Sequence, residues 1–308
     1  LYAGVSISLN ALYVLEIIVI ARQGRKTFKC SVYRIFCALA IVNIAAYIFG
    51  TFAFRMPLYP TFNLFYSTMQ LASWWLTALN SFTHYLNCLS EILGLLLAIN
   101  IFSVLYCPTR HDEFWRRRSV HGVLVCLLVS LVPVWPLIDD VTAFHEVNND
   151  PLPGDTWYYL DATSDAPESS IVQNTAIVTV GCNAVSALLY AACLVRIYLD
   201  PVNRDYSAER RLLMLGCLTT LCSLPYMSTI LYSNLTEYMS DGKIDLTTFM
   251  FFRLPWLTDL KFLSPAPALL LTNSSIRQSI TNMLFDGRSN IMRRVSKERL
   301  ELLRDISV

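Results

Sequence analysis

A bundle of seven transmembrane α-helices, with the N-terminus outside and the C-terminus inside, is the fold this sequence predicts, and three observations carry the prediction. Of its 308 residues 55% are hydrophobic and only 15% charged, whereas a soluble domain carries about 25% charge and about 45–50% apolar residues. The apolar residues gather into seven stretches, each close to the ~20 residues that cross about 30 Å of hydrocarbon. Basic residues mark alternate connections: 20 of the 24 Lys and Arg fall on one side of such a bundle, as cytoplasmic loops do. The same numbers exclude other classes. A net charge of +1 with 12% aromatic residues is the opposite of a disordered composition. Ten glycines exclude a collagen-like repeat, and the near-neutral charge argues against a nucleic-acid partner.

The elements follow in order. Span one covers 1–21; it is too long for a signal peptide, lacks a basic leader and shows no small-x-small site before Arg22. Arg22, Arg25, Lys26, Lys29 and Arg34 follow it and place its far end inside. Span two covers 33–54, and Arg55 follows it. Span three covers 79–106; Arg110, Arg116, Arg117 and Arg118 return the chain to the basic side. Span four covers 120–138, with Pro133 and Pro136 kinking its outer half. Span five covers 171–198, and Arg196, Arg204, Arg210 and Arg211 surround the loop after it. Span six covers 212–232 around Pro225. Span seven, 249–271, is the least apolar because it holds Arg253, Asp259 and Lys261, and its assignment leans on the other six. Pro265 and Pro267 break it; prolines are tolerated in spans where neighbours re-satisfy the freed carbonyls. Residues 274–285 place Ile276, Ile280, Met283 and Leu284 on one side, the pattern of an amphipathic helix on the inner leaflet. One membrane domain, 1–285, and a basic cytoplasmic tail, 286–308, account for the chain.

The connection 139–170 has no Lys or Arg and carries eight acids. Two readings stand: a solvated extracellular loop, or an anionic vestibule that enriches cationic ligands near the mouth. Asn234-Leu235-Thr236 is a candidate glycosylation acceptor outside span six. None of the nine cysteines falls in an extracellular connection, so they are expected as small apolar core residues rather than disulfides. No metal-ligand spacing, nucleophile elbow or phosphate loop is present. No cofactor and no enzymatic activity are expected.

Ionisable groups inside a span cost about 2.5–3.5 kcal/mol each on insertion scales, so each needs a reason. Span one holds Glu16. Span three holds His84, Asn87 and Glu91 at i, i+3 and i+7, one helical face, with Asn100 further in. Span seven holds Asp259 and Lys261. At 1.5 Å per residue, Glu91 lies about 16 Å below Asn80 at the outer end of span three and Lys261 about 18 Å below Phe249 at that of span seven. The two can therefore meet at mid-membrane, either as a packing pair or as the floor of a ligand cavity. His84, Asn87, Glu91, Asp259 and Lys261 are the candidate ligand-binding residues.

The stretch His84-Tyr85-Leu86-Asn87-Cys88-Leu89-Ser90-Glu91, then Leu96-Leu97-Ala98-Ile99-Asn100, resembles span three of nematode serpentine chemoreceptors. So does its exit, Ser103-Val104-Leu105-Tyr106-Cys107-Pro108-Thr109-Arg110-His111, with Phe114-Trp115 beyond. In span seven, Asp259, Ser264-Pro265, Leu269-Leu270-Leu271 and Arg277 match the family's pattern. The chain is similar to the class V (Srv) and class gamma (Srg) families of the Srg superfamily, with the balance toward Srv. The resemblance implies a seven-transmembrane G-protein-coupled receptor that binds an external small molecule or peptide in its outer half. Its inner half would signal to a heterotrimeric G protein, and it would sit in the plasma or ciliary membrane of sensory cells.

Two departures stand out. The family's Asn-Arg-Phe reads Asn100-Ile101-Phe102 here, which removes the Arg of the usual activation latch. The rhodopsin-like disulfide from span three to the second extracellular loop is also missing, so that loop is ordered by packing or mobile. Asn100, Arg116, Arg117, Arg210, Arg211 and Arg277 are the candidate G-protein-facing residues; the arginines serve equally as headgroup anchors. From other classes, a transporter or channel using Glu16, Glu91, Asp259 and Lys261 as an ion path, and a ligand-free accessory membrane protein, are the alternatives.

Overall fold

The structure, a computed structural model, describes residues 2–23, 31–71, 73–137, 141–147, 157–162, 168–199, 207–239 and 256–283. The tail 286–308, the outer end of span seven and most acids of the 139–170 connection lie outside the described residues. The vestibule and tail expectations therefore fall outside them too.

Helices α1 (Tyr2–Gln23) and α2 (Ser31–Gly50) begin the bundle. The second continues as a π-helical turn, Thr51–Arg55, before Pro57 ends it in short 3-10 turns and α3 (Asn63–Ser67). A π-turn takes an extra residue per hydrogen-bonded loop, and Arg55 at its end is buried. Next come α4 (Trp74–Tyr106), α5 (Pro108–Val129), and a 3-10 segment, Val132–Leu137, containing Pro136. After two strands, α6 (Glu168–Leu199) and α7 (Ser207–Met239) follow. The last segments are α8 (256–263), α9 (Pro265–Thr272) and α10 (274–283). Six helices among the described residues are long and apolar enough to cross a membrane, and α8 with α9 supplies a broken further one.

That break has a local cause. Pro265 has no N–H to offer the carbonyl four residues back, and Ser264 Oγ donates to Lys261 O instead, at 3.2 Å. The neighbouring Phe262 O accepts from Tyr13 Oη at 2.7 Å and from Asn43 Nδ2 at 3.0 Å. Two helices thus supply hydrogen bonds at the kink of a third, as a spanning helix requires where its own ladder fails.

Helix α4 is central, packed on α2, α5, α6 and α7. One apolar cluster joins Val32, Ile35 and Leu39 to Leu93, Leu97 and Ile101, with Tyr190 and Leu213 closing it. A second joins Tyr13 and Phe36 to Leu263, Ala266 and Leu269. Gly216 allows α7 to lie against the Tyr190 ring, because a Cβ there would collide with that ring; small residues permit such approach in membrane bundles. Ile7, Ile41, Leu188 and Leu199 stand exposed around the outside, the arrangement of a surface that faces lipid rather than water.

The 139–170 connection is not simply a solvated loop: among its described residues it contains a β-hairpin. Strands β1 (Thr142–Val147) and β2 (Trp157–Ala162) pair antiparallel, Phe144 opposite Leu160 and Glu146 opposite Tyr158. The aromatic and β-branched residues Trp157-Tyr158-Tyr159 and Val147 carry strand preference, which the acids around them obscure in sequence. Phe144, Tyr158 and Leu160 share one face and pack on Ala53, Tyr66 and Leu76, with the Phe144 and Tyr66 rings 4.8 Å apart, edge to face. Ser73 N–H donates to Thr142 O at 3.2 Å, and Thr142 N–H donates to Thr77 Oγ1 at 3.0 Å. Packing and hydrogen bonds to the outer end of α4 therefore order this lid, where a rhodopsin-like receptor would use a disulfide. Thr77→Val removes the acceptor of a buried N–H, a change of about 1–3 kcal/mol. Amide exchange across β1 and β2 is expected to speed up by that margin in this variant; unchanged protection would show that the apolar face alone holds the lid.

Candidate functional site

Buried charge is arranged in two layers that meet on α8. Asp259 and Lys261 are two residues apart, about 200° around a helix, so they address different neighbours. Asp259 pairs with Arg55 at the end of the π-turn, both nearly fully buried. Ser6 Oγ of α1 donates to its second oxygen at 2.9 Å. Arg55 also donates to Thr51 Oγ1 at 3.0 Å and lies over the Tyr47 ring. Lys261 reaches the other way, to Glu91 of α4, at 2.5 Å. Asn183 Nδ2 of α6 donates to the free Glu91 oxygen at 2.9 Å, and Ser223 Oγ of α7 donates to Asn183 Oδ1 at 2.8 Å. The Lys261 ammonium also sits over the Tyr226 ring, 4.4 Å from its centre. Buried ions persist only when paired and further hydrogen-bonded; the Arg55–Asp259 pair meets that condition on both sides, whereas in the second pair Asn183 supports Glu91 and Lys261 Nζ has no hydrogen-bond partner among the described residues, resting on Glu91 and the Tyr226 ring. Beside the second pair a cavity of about 60 Å³ is lined by Asn43, Ser90, Ser186, Thr219 and Thr220. Its size suits a few waters rather than a ligand.

The other predicted outer residues join neither pair. His84 is half-buried, its ring edge to face with Phe54 at 6.0 Å, and Asn87 is half-buried. Glu16 is fully buried in α1, and neither carboxyl oxygen has a hydrogen-bond partner among the described residues.

At the inner end a ring of hydrogen bonds joins α2, α4 and α5. Asn100 Nδ2 donates to Ser31 Oγ at 2.8 Å. Ser103 Oγ donates to Asn100 O and accepts from Trp115 Nε1, both at 2.7 Å. With its one proton used, Ser103 Oγ can only accept from His111 Nδ1, 3.0 Å away, so Nδ1 carries the hydrogen of the neutral ring. His111 Nε2 is then the acceptor facing Ser31 Oγ at 3.4 Å. His111 lies beyond the membrane-spanning part of α5, and burial holds its pKa below the ordinary imidazole value despite the opposing pull of Asp112. The unfolded chain therefore binds more protons below about pH 6.5, and stability falls with acidification there. The thermal midpoint is expected to drop as pH falls from about 7.5 to about 5.5, and His111→Gln to flatten that slope; an equal slope in the variant would remove His111 as its source.

Of the candidate inner residues, Asn100 is fully buried within this ring. Arg116, Arg210, Arg211 and Arg277 are exposed. Arg116 O accepts from Arg34 at 3.0 Å, and Arg211 donates to Ser274 Oγ at 3.1 Å. Arg277 donates to the carbonyls of Leu270 and Leu271 at 3.2 and 3.1 Å, closing the C-terminal end of α9 as basic residues do. Arg117 and Asn234 lie on α5 and α7, and their side chains are outside the described part of the structure. Ile101 is 1% exposed within the main apolar cluster, so an Arg at this position would be desolvated among Leu97, Leu105 and Leu213.

Sequence reasoning assigned no site role to Arg55, Asn183, Ser31, His111 and Trp115. Arg55 carried a signal as one of four basic residues off the cytoplasmic side, and His111 and Trp115 lie in the stretch that resembles the family's exit from span three.

A helical bundle with lipid-facing apolar walls, paired interior charge and a lid over one end is an integral membrane protein of serpentine type. The chain belongs to the Srg family of chemoreceptors: the family description "Srg family chemoreceptor" matches residues 2–280. It is also similar to "Serpentine receptor class V-1" of Caenorhabditis elegans, 24% identical over 288 residues that cover 91% of this chain and 87% of that one.

Proposed function

We propose that the chain is a chemosensory G-protein-coupled receptor whose ligand, an external small molecule or peptide, acts in the outer half of the bundle. One observation carries the reading: both interior ion pairs end on α8, directly outside the Ser264–Pro265 break. A ligand that competes for Asp259 or Lys261 changes what α8 is fastened to. Such a change reaches α9 and α10 through the break, a suitable hinge for a helix shift. His84, Asn87, Glu91, Asp259 and Lys261 then form the ligand-responsive set. Arg116, Arg117, Arg210, Arg211 and Arg277 face the G protein, and Asn100 acts through the inner ring. The site of action is the plasma or ciliary membrane of sensory cells, with Asn234 glycosylated outside.

The test is expression in cultured cells with calcium and cyclic-nucleotide reporters, challenged with a panel of small molecules and peptides. A response abolished by blocking heterotrimeric G proteins is the expected result. A ligand-evoked current that survives the block would overturn the reading in favour of a channel or transporter.

A further inference from the structure

The apolar stretch of α5 begins at Arg118, which by composition places that residue at the inner membrane interface, and there a groove of about 530 Å³ opens between α5 and α4. Phe114, Arg118, Gly122 and Val125 fall four, four and three residues apart, a continuous stripe on one helical face. Trp115 and Leu96 of α4 close the side of the groove. Gly122 keeps its floor open, since a Cβ there would stand 3.3 Å from both terminal methyls of Leu96. From Arg118 to Val125 the groove descends about 10 Å by the helical rise, from headgroup level into the acyl region. Its upper end is cationic: Arg118 is exposed, its guanidinium held 4.4 Å over the Phe114 ring, and the exposed His121 borders it one turn deeper. The acids Asp112 and Glu113 lie on an earlier turn of α5 and do not line it. The lower part is apolar, so one end recognises negative charge and the other a hydrocarbon chain.

We propose that this groove binds one anionic glycerophospholipid of the inner leaflet, its phosphate on Arg118 and an acyl chain laid over Gly122 against Leu96 and Val125. A molecule diffusing in the bilayer reaches such a groove from the side. The amphipathic split, together with a single cation fixed at interface depth, selects a charged lipid over a neutral one. A juxtamembrane Arg contributes about 1 kcal/mol toward an anionic lipid, about fivefold in affinity.

The experiment is native mass spectrometry of the purified full chain in detergent, titrated separately with phosphatidylserine, phosphatidylcholine and cholesterol. The expected result is one phosphatidylserine retained about fivefold more tightly than phosphatidylcholine. The preference should be kept in Arg118→Lys and lost in Arg118→Gln, and Val125→Trp should fill the groove and weaken both phospholipids. Equal retention of the two phospholipids, a preference that survives Arg118→Gln, or tighter retention of cholesterol at the same groove would each overturn the proposal. The two Arg118 variants change an exposed side chain, so they decide the matter even if Val125→Trp does not fold.

Discussion

Lys261→Met is expected to lose about 3–5 kcal/mol of stability, the cost of leaving a buried carboxylate without its counter-ion. Glu91 would keep Asn183 as a donor but would sit charged, or be forced neutral, between α4 and α6. Adding Glu91→Gln to Lys261→Met should return most of the loss, because an uncharged pair in the same space has no desolvation to repay and the new amide oxygen can still accept from Asn183. The measurement is the thermal midpoint of purified protein in detergent for both single variants and the double. A double variant no more stable than Lys261→Met would show that the two side chains do not depend on each other. Exchanging the charges, Glu91→Lys with Lys261→Glu, extends the test: partial rescue is expected, since Tyr226 stacks on the cation and would lose that contact.

Asp259→Asn is the second change of this size. It strands the Arg55 guanidinium, with Thr51 Oγ1 and the Tyr47 ring as its remaining partners, at about 3–5 kcal/mol. Arg55→Met with Asp259→Asn should be much milder than Asp259→Asn alone, again by thermal midpoint. The two ion pairs lie on one short helix, so their effects are expected not to add: close sites in one network couple by about 0.5–3 kcal/mol. A quadruple variant whose loss equals the sum of the two doubles would show instead that α8 transmits nothing between them.

Much of the bundle was legible in the sequence because a spanning helix must satisfy its own backbone, which forces long apolar runs, and because basic residues report which side each run ends on. The Glu91–Lys261 pair was legible for a related reason: helical rise converts sequence position into depth, and two buried opposite charges at one depth have few other options. Arg55 as the partner of Asp259 was not. It follows span two, where an ideal helix would carry it toward the headgroups, and the π-turn over Thr51–Arg55 keeps it buried within the bundle. The inner ring was hidden for a different reason, since Ser31, Ser103 and His111 are small or neutral polar residues that leave no trace in an apolar profile. The hairpin was masked by acids interspersed among its aromatic residues, which made a strand pair look like solvated loop.

The lid's fastening has a consequence for sensitivity. Hydrogen bonds at Ser73 and Thr77 and one apolar face hold it without a covalent link, so lid and bundle are in a local opening equilibrium that reductants do not touch. On the proposed reading, a ligand bound only by the open form would have an apparent dissociation constant equal to the intrinsic one divided by the fraction of molecules whose lid is open. Loosening the lid at Thr77 would then move the whole dose–response curve toward lower concentration while every ligand contact stays as it was.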